Sequence, residues 1–412
     1  MQITLLNQFY PPDFAPTGRL AESLAEHRAQ SGDLVTVLAS KGGYVPGSPH
    51  KAQKRSGNPK VFRVWTPRFG KRLFLGRVLD YASFFVGSLV RLTALPRQDL
   101  IISLTTPPFI AWAAIFHLIL HPSARLVLWN MDCYPEIAEK TGVIKPGGLA
   151  SRLLRWINQR LFRRLAGLVC LDPAMRSLLL QGYSFDQERT KVSVLPAWEQ
   201  EQRFSEELSR PDLSSLGIDI PKHSFVSLYM GNAGRGHAFG SLLALAHELR
   251  NELFSFVFVG GGSAWDTLRR DCENQALGNV HLFPYVQDAL VPSFLAMASC
   301  GLVTMRTSVL GAISPSKIYA YLAGSLPLIY FGPQGSNVDE AISRFGVGIS
   351  LRQGDSVGAA DFLRKLAQDK NQLAQYRMRS MQAYKTAYSD VQVLPQFDAF
   401  LLSVAGQHIK RE

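Results

Sequence analysis

Three observations predict an α/β protein built from two parallel-sheet domains. Short runs of β-branched and apolar residues alternate with amphipathic stretches along the chain. The runs are continuously apolar, which marks strands covered by helices on both faces. The series occurs twice, interrupted by a polar, acidic stretch from Trp198 to Lys222. A chain of 412 residues also exceeds what one core usually serves. The expected organisation is a first domain over 1–197, a second over 198–385, and a helical segment over 386–412 that crosses back to the first.

The first series of strands reads "ITLLN" (Ile3–Asn7), "LVTVLA" (Leu34–Ala39), "LIISL" (Leu100–Leu104), "LVLWN" (Leu126–Asn130), "LVCLD" (Leu168–Asp172) and "KVSVLP" (Lys191–Pro196). Between the first two lies "RLAESLAEHRAQSG", with leucines four apart and Gly32 placed for a left-handed helix stop. The second series reads "FVSLYMG" (Phe225–Gly231), "FSFVFVGGG" (Phe254–Gly262), "VHLFPYV" (Val280–Val286), "GLVTM" (Gly301–Met305) and "LPLIYFG" (Leu326–Gly332). Both series read as Rossmann-like sheets, whose ligands bind at the C-terminal ends of the strands, here facing a cleft between the domains.

Composition narrows the function. A net charge of +12 draws the chain to anions such as phosphorylated small molecules, anionic lipid or nucleic acid. Lys51 to Arg97 holds eleven Lys/Arg against one acid, Asp80. Lys145 to Arg164 holds six and no acid, so both basic clusters fall in the first domain. The basic residues sit among large aliphatics with no recognition motif, which disfavours nucleic acid. Four scattered cysteines without a CxxC pair argue against zinc and a disulfide framework, and suit a reducing, cytoplasmic compartment. The start "MQITLLNQFYPP" reads as a first strand and not as a signal peptide, and "FIAWAAIFHLILHP" is too short to span a membrane.

Several strand ends carry anion-binding features. In "ISPSKIYAYLAG", Ser314 reads as N-cap and Pro315 as the first helical residue, which places Ser316 and Lys317 in the first turn. Free N–H groups, hydroxyls and an ammonium there suit a phosphate; the plainer reading is a capped helix with Lys317 in solvent. In "YMGNAGRGHAF", Gly231, Gly234 and Gly236 allow close backbone approach, while Asn232 lies between and Arg235 and His237 add positive charge. That loop matches neither G-x-G-x-x-G nor a Walker A motif, and an ordinary αβ turn is built the same way. "FVFVGGGS" offers a third close approach. In the first domain Thr17 and Gly18 precede a helix that begins near Arg19 after the first strand, and "WNMDCYPE" places Asp132 and Glu136 after the fourth. A carboxylate there can act as a base or bind hydroxyls, or simply cap the loop.

The segments "QFYPPDFAPTGRLAESLAE", "SLTTPP", "LVLWNMDCYPEIAEKTGVIKPG", "VSVLPAW", "YMGNAGRGHAF", "FVFVGGGS", "NVHLFPY", "PSKIYAYLAG" and "YFGPQGS", in this order, resemble the bacterial glycosyltransferases of family 4. The likeness is to the subgroup that builds capsule, O-antigen and exopolysaccharide, such as the colanic-acid type. It implies a GT-B fold and a hexosyltransferase that moves sugar with retention from a nucleotide diphosphate to a lipid-linked or other saccharide acceptor. It implies no bound metal and no cofactor, because helix starts and basic side chains offset the diphosphate charge. It places Lys317, Ser316 and Arg235 on the departing diphosphate, Asp132 on the acceptor hydroxyl, Gly18 close to acceptor or sugar, and Phe283, Pro284 and Tyr285 at the base.

The resemblance is incomplete at the donor. The family's two glutamates, eight positions apart, fall on Ala312 and Ala320, the second at the ribose. The usual Arg and Lys of the glycine loop fall on Asn232 and His237, and the His of the first-domain "HD" pair falls on Met131. An altered donor site is the reading adopted; a non-catalytic nucleotide-sugar binder and a nucleotide-sugar epimerase are the alternatives. The segment Lys71–Arg91 reads as an interfacial helix resting on anionic lipid, which places the protein on the cytoplasmic face of a membrane. "SRLLRWINQRLFRRL" (Ser151–Leu165) reads as a covering helix with its arginines in solvent.

Overall fold

The computed structural model describes residues 1–13, 15–41, 57–67, 69, 74–186, 188–204, 220–221 and 223–406. Most of the acidic stretch after Trp198 and the basic residues of 42–56 and 71–73 lie outside them. Two compact units form, one of Met1–Pro196 with Leu394–Glu412 and one of Ala197–Val393.

The first unit holds a seven-stranded sheet: β1 (Gln2–Leu6), β2 (Leu34–Ser40), β3 (Lys60–Val64), β4 (Leu100–Leu104), β5 (Arg125–Trp129), β6 (Gly167–Cys170) and β7 (Lys191–Val194). Their order is β3-β2-β1-β4-β5-β6-β7, and every pairing is parallel. Each residue of β4 is buried, the outcome expected when helices cover both faces of the sheet. Helix Pro16–Gln30 ends as read, with Gly32 at a φ of +89°.

The last helix, Asp390–Ala405, contributes its residues from Leu394 onward to this unit. Phe397 packs on Trp129 with ring centroids 4.7 Å apart. Asp398 accepts from Arg28 Nη1 at 2.6 Å and pairs with His27 Nε2 at 2.7 Å. Gly167 leaves the space that Phe400 and Val404 fill, since an added Cβ would stand 3.0 Å from each.

The second unit holds β8 (Phe225–Asn232), β9 (Phe254–Gly261), β10 (Val280–Phe283), β11 (Cys300–Thr304), β12 (Leu328–Phe331) and β13 (Gly348–Leu351). The order is β10-β9-β8-β11-β12-β13, again all parallel. Phe256, Phe258, Leu302, Ile329 and Phe331 fill its core. In each sheet the winding reverses beside the first strand of its series, between β1 and β4 and between β8 and β11. An open parallel sheet parts at such a point and leaves a crevice at the carboxyl ends of the two strands.

Candidate functional site

In the second unit the crevice lies beyond the ends of β8 and β11. Gly231, the last residue but one of β8, has a φ of +125°, a conformation that a residue with a Cβ adopts only under strain. The chain then turns through Asn232–Gly236 to His237. Gly236 sits against Ile313, whose Cδ1 would be 2.6 Å from an added Cβ, so the glycine loop packs directly on the segment before Lys317. His237 Nδ1 donates to the carbonyl of Thr304 at the end of β11, at 2.7 Å. A carbonyl can only accept, so Nδ1 carries the proton. Burial, reinforced by the charge of Lys317 and opposed by this hydrogen bond, lowers His237 to about 3. The imidazole is therefore neutral, which corrects the positive charge expected of it; the loop's cation is Arg235, exposed on the turn.

Lys317 opens helix Lys317–Ala323. Its backbone end is half-buried, but its ammonium is shut away and makes no hydrogen bond. The Nζ lies 3.6 Å from the centroid of the Tyr229 ring. Burial alone pushes Lys317 well below the usual lysine range. The helix starts later than the sequence suggested. Ser316, not Ser314, occupies the cap position, and its side chain makes no capping bond. Pro315 precedes the helix, and Ser314 Oγ is buried without a partner. An ammonium and a hydroxyl, both shut from water and both unsatisfied, flank the crevice of one sheet.

The remaining donor-side residues border this place. Tyr285 follows β10, and its hydroxyl donates to Gly261 O at 3.1 Å and Asn232 Oδ1 at 3.3 Å. This ties the Phe283–Pro284–Tyr285 loop to the glycine loop. Ala320 lies one turn into the helix and is half-buried. Ala312 is fully buried, so a glutamate there would have to bury its carboxylate or displace its neighbours.

In the first unit a small, partly open pocket with a cavity volume of about 20 Å³ lies at the ends of β4 and β5. Thr105, Phe109, Asn130, Asp132, Tyr134 and Asn158 are among its walls. Thr105 Oγ1 accepts from the N–H groups of Met131 and Asp132 at 3.0 and 3.1 Å, which fixes the loop after β5. Loss of water pushes the Asp132 carboxyl up to about 6. Tyr134 is also raised, first by burial and then by Asp132. Phe109 adopts a φ of +65°, an uncommon and strained conformation for an aromatic residue. Among the described residues, no group of three or more His, Cys, Asp or Glu could hold a metal.

Residues 17–198 match the family model described as a glycosyl transferase 4-like domain. The first unit is a glycosyl transferase 4-like domain. Two relatives cover most of this chain at 25% identity. One is the "Probable glycosyltransferase WbjE" of Pseudomonas aeruginosa, with 73% of this chain and 74% of that protein aligned. The other is the "Putative colanic acid biosynthesis glycosyl transferase WcaI" of Escherichia coli K12, with 78% and 81%. Among solved structures, Anabaena HepE in complex with UDP and glucose superposes with a TM-score of 0.69 at 14% identity, over 98% of this chain and all of that one (100%). The fold is GT-B.

Within the glycosyl transferase 4-like domain, some expected site residues turn inward. Glu136 is buried; its Oε1 accepts from Tyr183 OH at 2.5 Å and lies 3.2 Å from Arg155 Nη1. It braces the domain and does not face an acceptor. Gly18, with Thr17 and Arg19 in the first turn of helix Pro16–Gln30, meets its own chain: an added Cβ would lie 3.3 Å from the backbone of Phe9 and Tyr10. Its small size seats the helix on the loop after β1. Thr105 and Asn158 escaped the sequence reading. The signal for Thr105 was "SLTTPP", a strand running into hydroxyls and prolines; Asn158 sits inside a helix and carried none.

The two basic helices of the domain also differ from expectation. Of Lys71–Arg91, the first three residues lie outside those described. Arg91 is folded back, with its guanidinium 3.7 Å from the Phe62 ring centroid, while Leu79, Val86 and Val90 are exposed. Helix Leu149–Phe162 carries exposed arginines, as read, but it also exposes Leu149, Leu153 and Trp156. No described helix is long and apolar enough to cross a membrane.

Proposed function

We propose that this protein is a retaining glycosyltransferase that moves a hexosyl group from a nucleotide diphosphate to a lipid-linked saccharide acceptor in cell-surface polysaccharide synthesis. The observation that carries the donor half is the buried, unpartnered ammonium of Lys317. An isolated buried charge is unfavourable and calls for a counter-charge, and a diphosphate entering the crevice would supply one. Ser314, Ser316, Arg235 and the N–H groups around Gly231 and Asn232 add donors of the kind that stabilise a departing phosphate. His237, neutral with Nδ1 committed to Thr304, presents Nε2 as a hydrogen-bond acceptor. Phe283–Tyr285 and Ala320 line the nucleoside end. In this reading the donor charge is met by the chain's own groups, without metal or cofactor. The likeness to HepE, solved with UDP and glucose, supports a nucleotide-sugar donor.

In the acceptor half, Asp132 receives the proton of the attacking hydroxyl. A carboxyl lifted to about 6 is still ionised at neutral pH yet more basic than an ordinary aspartate, the balance general-base catalysis favours. The protein works at the cytoplasmic face of a membrane, which the exposed Leu79, Val86 and Val90 help it to meet. The test is thermal stability against UDP-, GDP-, dTDP- and ADP-sugars, followed by release of free nucleotide diphosphate with acceptor present. A selective shift for one nucleotide that is absent in Lys317→Met supports the site; wild-type binding by that variant removes it. The packed Ala312 favours one second reading, a binder that has lost transfer chemistry. Saturable binding without nucleotide release would select it.

A further inference from the structure

We infer that the outward face of helix Leu149–Phe162 is a docking surface for a membrane carrying anionic lipid. The inference deepens the membrane part of the proposed function and depends on neither donor nor acceptor chemistry.

The helix divides into two faces. Ser151, Asn158, Leu161 and Phe162 are buried, and the last three line the Asp132 pocket. At 100° per residue, Leu149, Leu153 and Trp156 fall on the opposite side together with Arg152, Arg160 and Arg163. All six are exposed, Leu149 at 88%. Arg160 lies over the Trp156 ring at 4.7 Å, so the aromatic and the cation form one amphipathic unit. This differs from helix Phe74–Thr93, whose Arg91 is folded onto Phe62.

The surrounding charge selects the occupant. From Lys140 to Leu171 the chain has no Asp or Glu, and the nearby Glu139 is occupied by Arg155 and Ser151. An all-basic face studded with large apolar groups repels a second copy of itself. It suits a sheet of anionic headgroups above acyl chains, where aliphatic and indole groups insert while arginines stay at the phosphates. The same helix borders the Asp132 pocket on its other side, so a membrane seated there lies one helix thickness from the proposed acceptor site.

The experiment is sedimentation of the full-length protein with phosphatidylcholine vesicles with and without phosphatidylglycerol. Wild type is expected to prefer the anionic vesicles and to release them in high salt. Leu153→Glu/Trp156→Glu should bind them about tenfold more weakly, and Arg152→Gln/Arg160→Gln should lose the preference for phosphatidylglycerol. Leu149→Glu, at the most exposed position, should weaken binding without disturbing the melt, which keeps the test open should the double variant unfold. The proposal fails if wild type shows no preference, if folded variants bind like wild type, or if wild type is a dimer that these variants dissociate. A chain that binds phosphatidylglycerol vesicles but no nucleotide sugar would remove the donor reading and leave this one standing.

Discussion

The Nζ of Lys317 stands 3.6 Å from the centre of the Tyr229 ring and touches no hydrogen-bond acceptor. A ring face attracts a cation but cannot neutralise it. Protonation of this amine is therefore unfavourable in the free protein, and a substrate phosphate would make it favourable. Lys317→Met keeps the aliphatic stem and removes the charge. It should raise the stability of the ligand-free protein by about 1–3 kcal/mol while lowering transfer by roughly 10²–10³-fold. The sign has a second check. A depressed lysine pKa means that the folded state sheds a proton the unfolded chain keeps, so wild-type stability falls as pH drops below the ordinary lysine range. The variant should lack that slope. A destabilised Lys317→Met in chemical denaturation would mean that the ammonium has a structural partner.

Donor binding should be linked to proton uptake. A diphosphate raises the affinity of Lys317 for its proton and, more weakly, that of His237, which burial lowers to about 3 in the free protein. The complex then binds more protons than the separate partners, so affinity rises as pH falls. Calorimetry of nucleoside diphosphate binding near pH 8, in buffers of different ionisation enthalpy, should give a buffer-dependent heat. Equal heats in all buffers would place the diphosphate elsewhere.

Asp132, pushed up to about 6, should set the acidic limb of the pH–rate profile. Activity that needs the carboxylate rises as pH passes that value, and Asp132→Asn should abolish the limb and cost about 10²–10⁴-fold in rate. Stability moves the other way. The folded state holds the proton more tightly than the unfolded chain, so stability falls as pH rises from about 4 to 6. At pH 7 the Asn variant should melt higher than wild type. A lower melt would show that the carboxylate is held by a partner and is not poised as a base.

Much of the architecture was readable because it rests on local pattern. Strands such as β4 and β8 are continuous apolar runs, and helix Pro16–Gln30 announces its end at Gly32. Lys317 was legible as a site residue because lysine is unusual at a helix start. Its burial was not, because the depth of Nζ depends on Tyr229, 88 residues away in sequence. The same limit misled the reading of His237, whose neutrality comes from burial and from the nearby Lys317, against the hydrogen bond to Thr304. In helix Leu149–Phe162 the periodicity was visible, but which face pointed outward depended on Tyr134, Glu139 and Tyr183, brought in by tertiary packing.

Glu136 separates bracing from substrate contact. The sequence placed it with the acceptor residues, yet its carboxylate is buried against Tyr183 and Arg155. Glu136→Gln keeps the shape and an acceptor for the Tyr183 hydroxyl but removes the charge facing Arg155, which retains Glu139 at Nε, 2.9 Å away. The expected loss is stability, about 1–3 kcal/mol, with kcat/KM of the folded enzyme near wild type. Asn158, which lines the Asp132 pocket, lies 3.4 Å from Tyr183 OH, so a softer brace could still be felt there as a small rise in acceptor KM. Urea denaturation read beside acceptor kinetics tests the assignment. A large fall in kcat with unchanged stability would return Glu136 to the reacting groups.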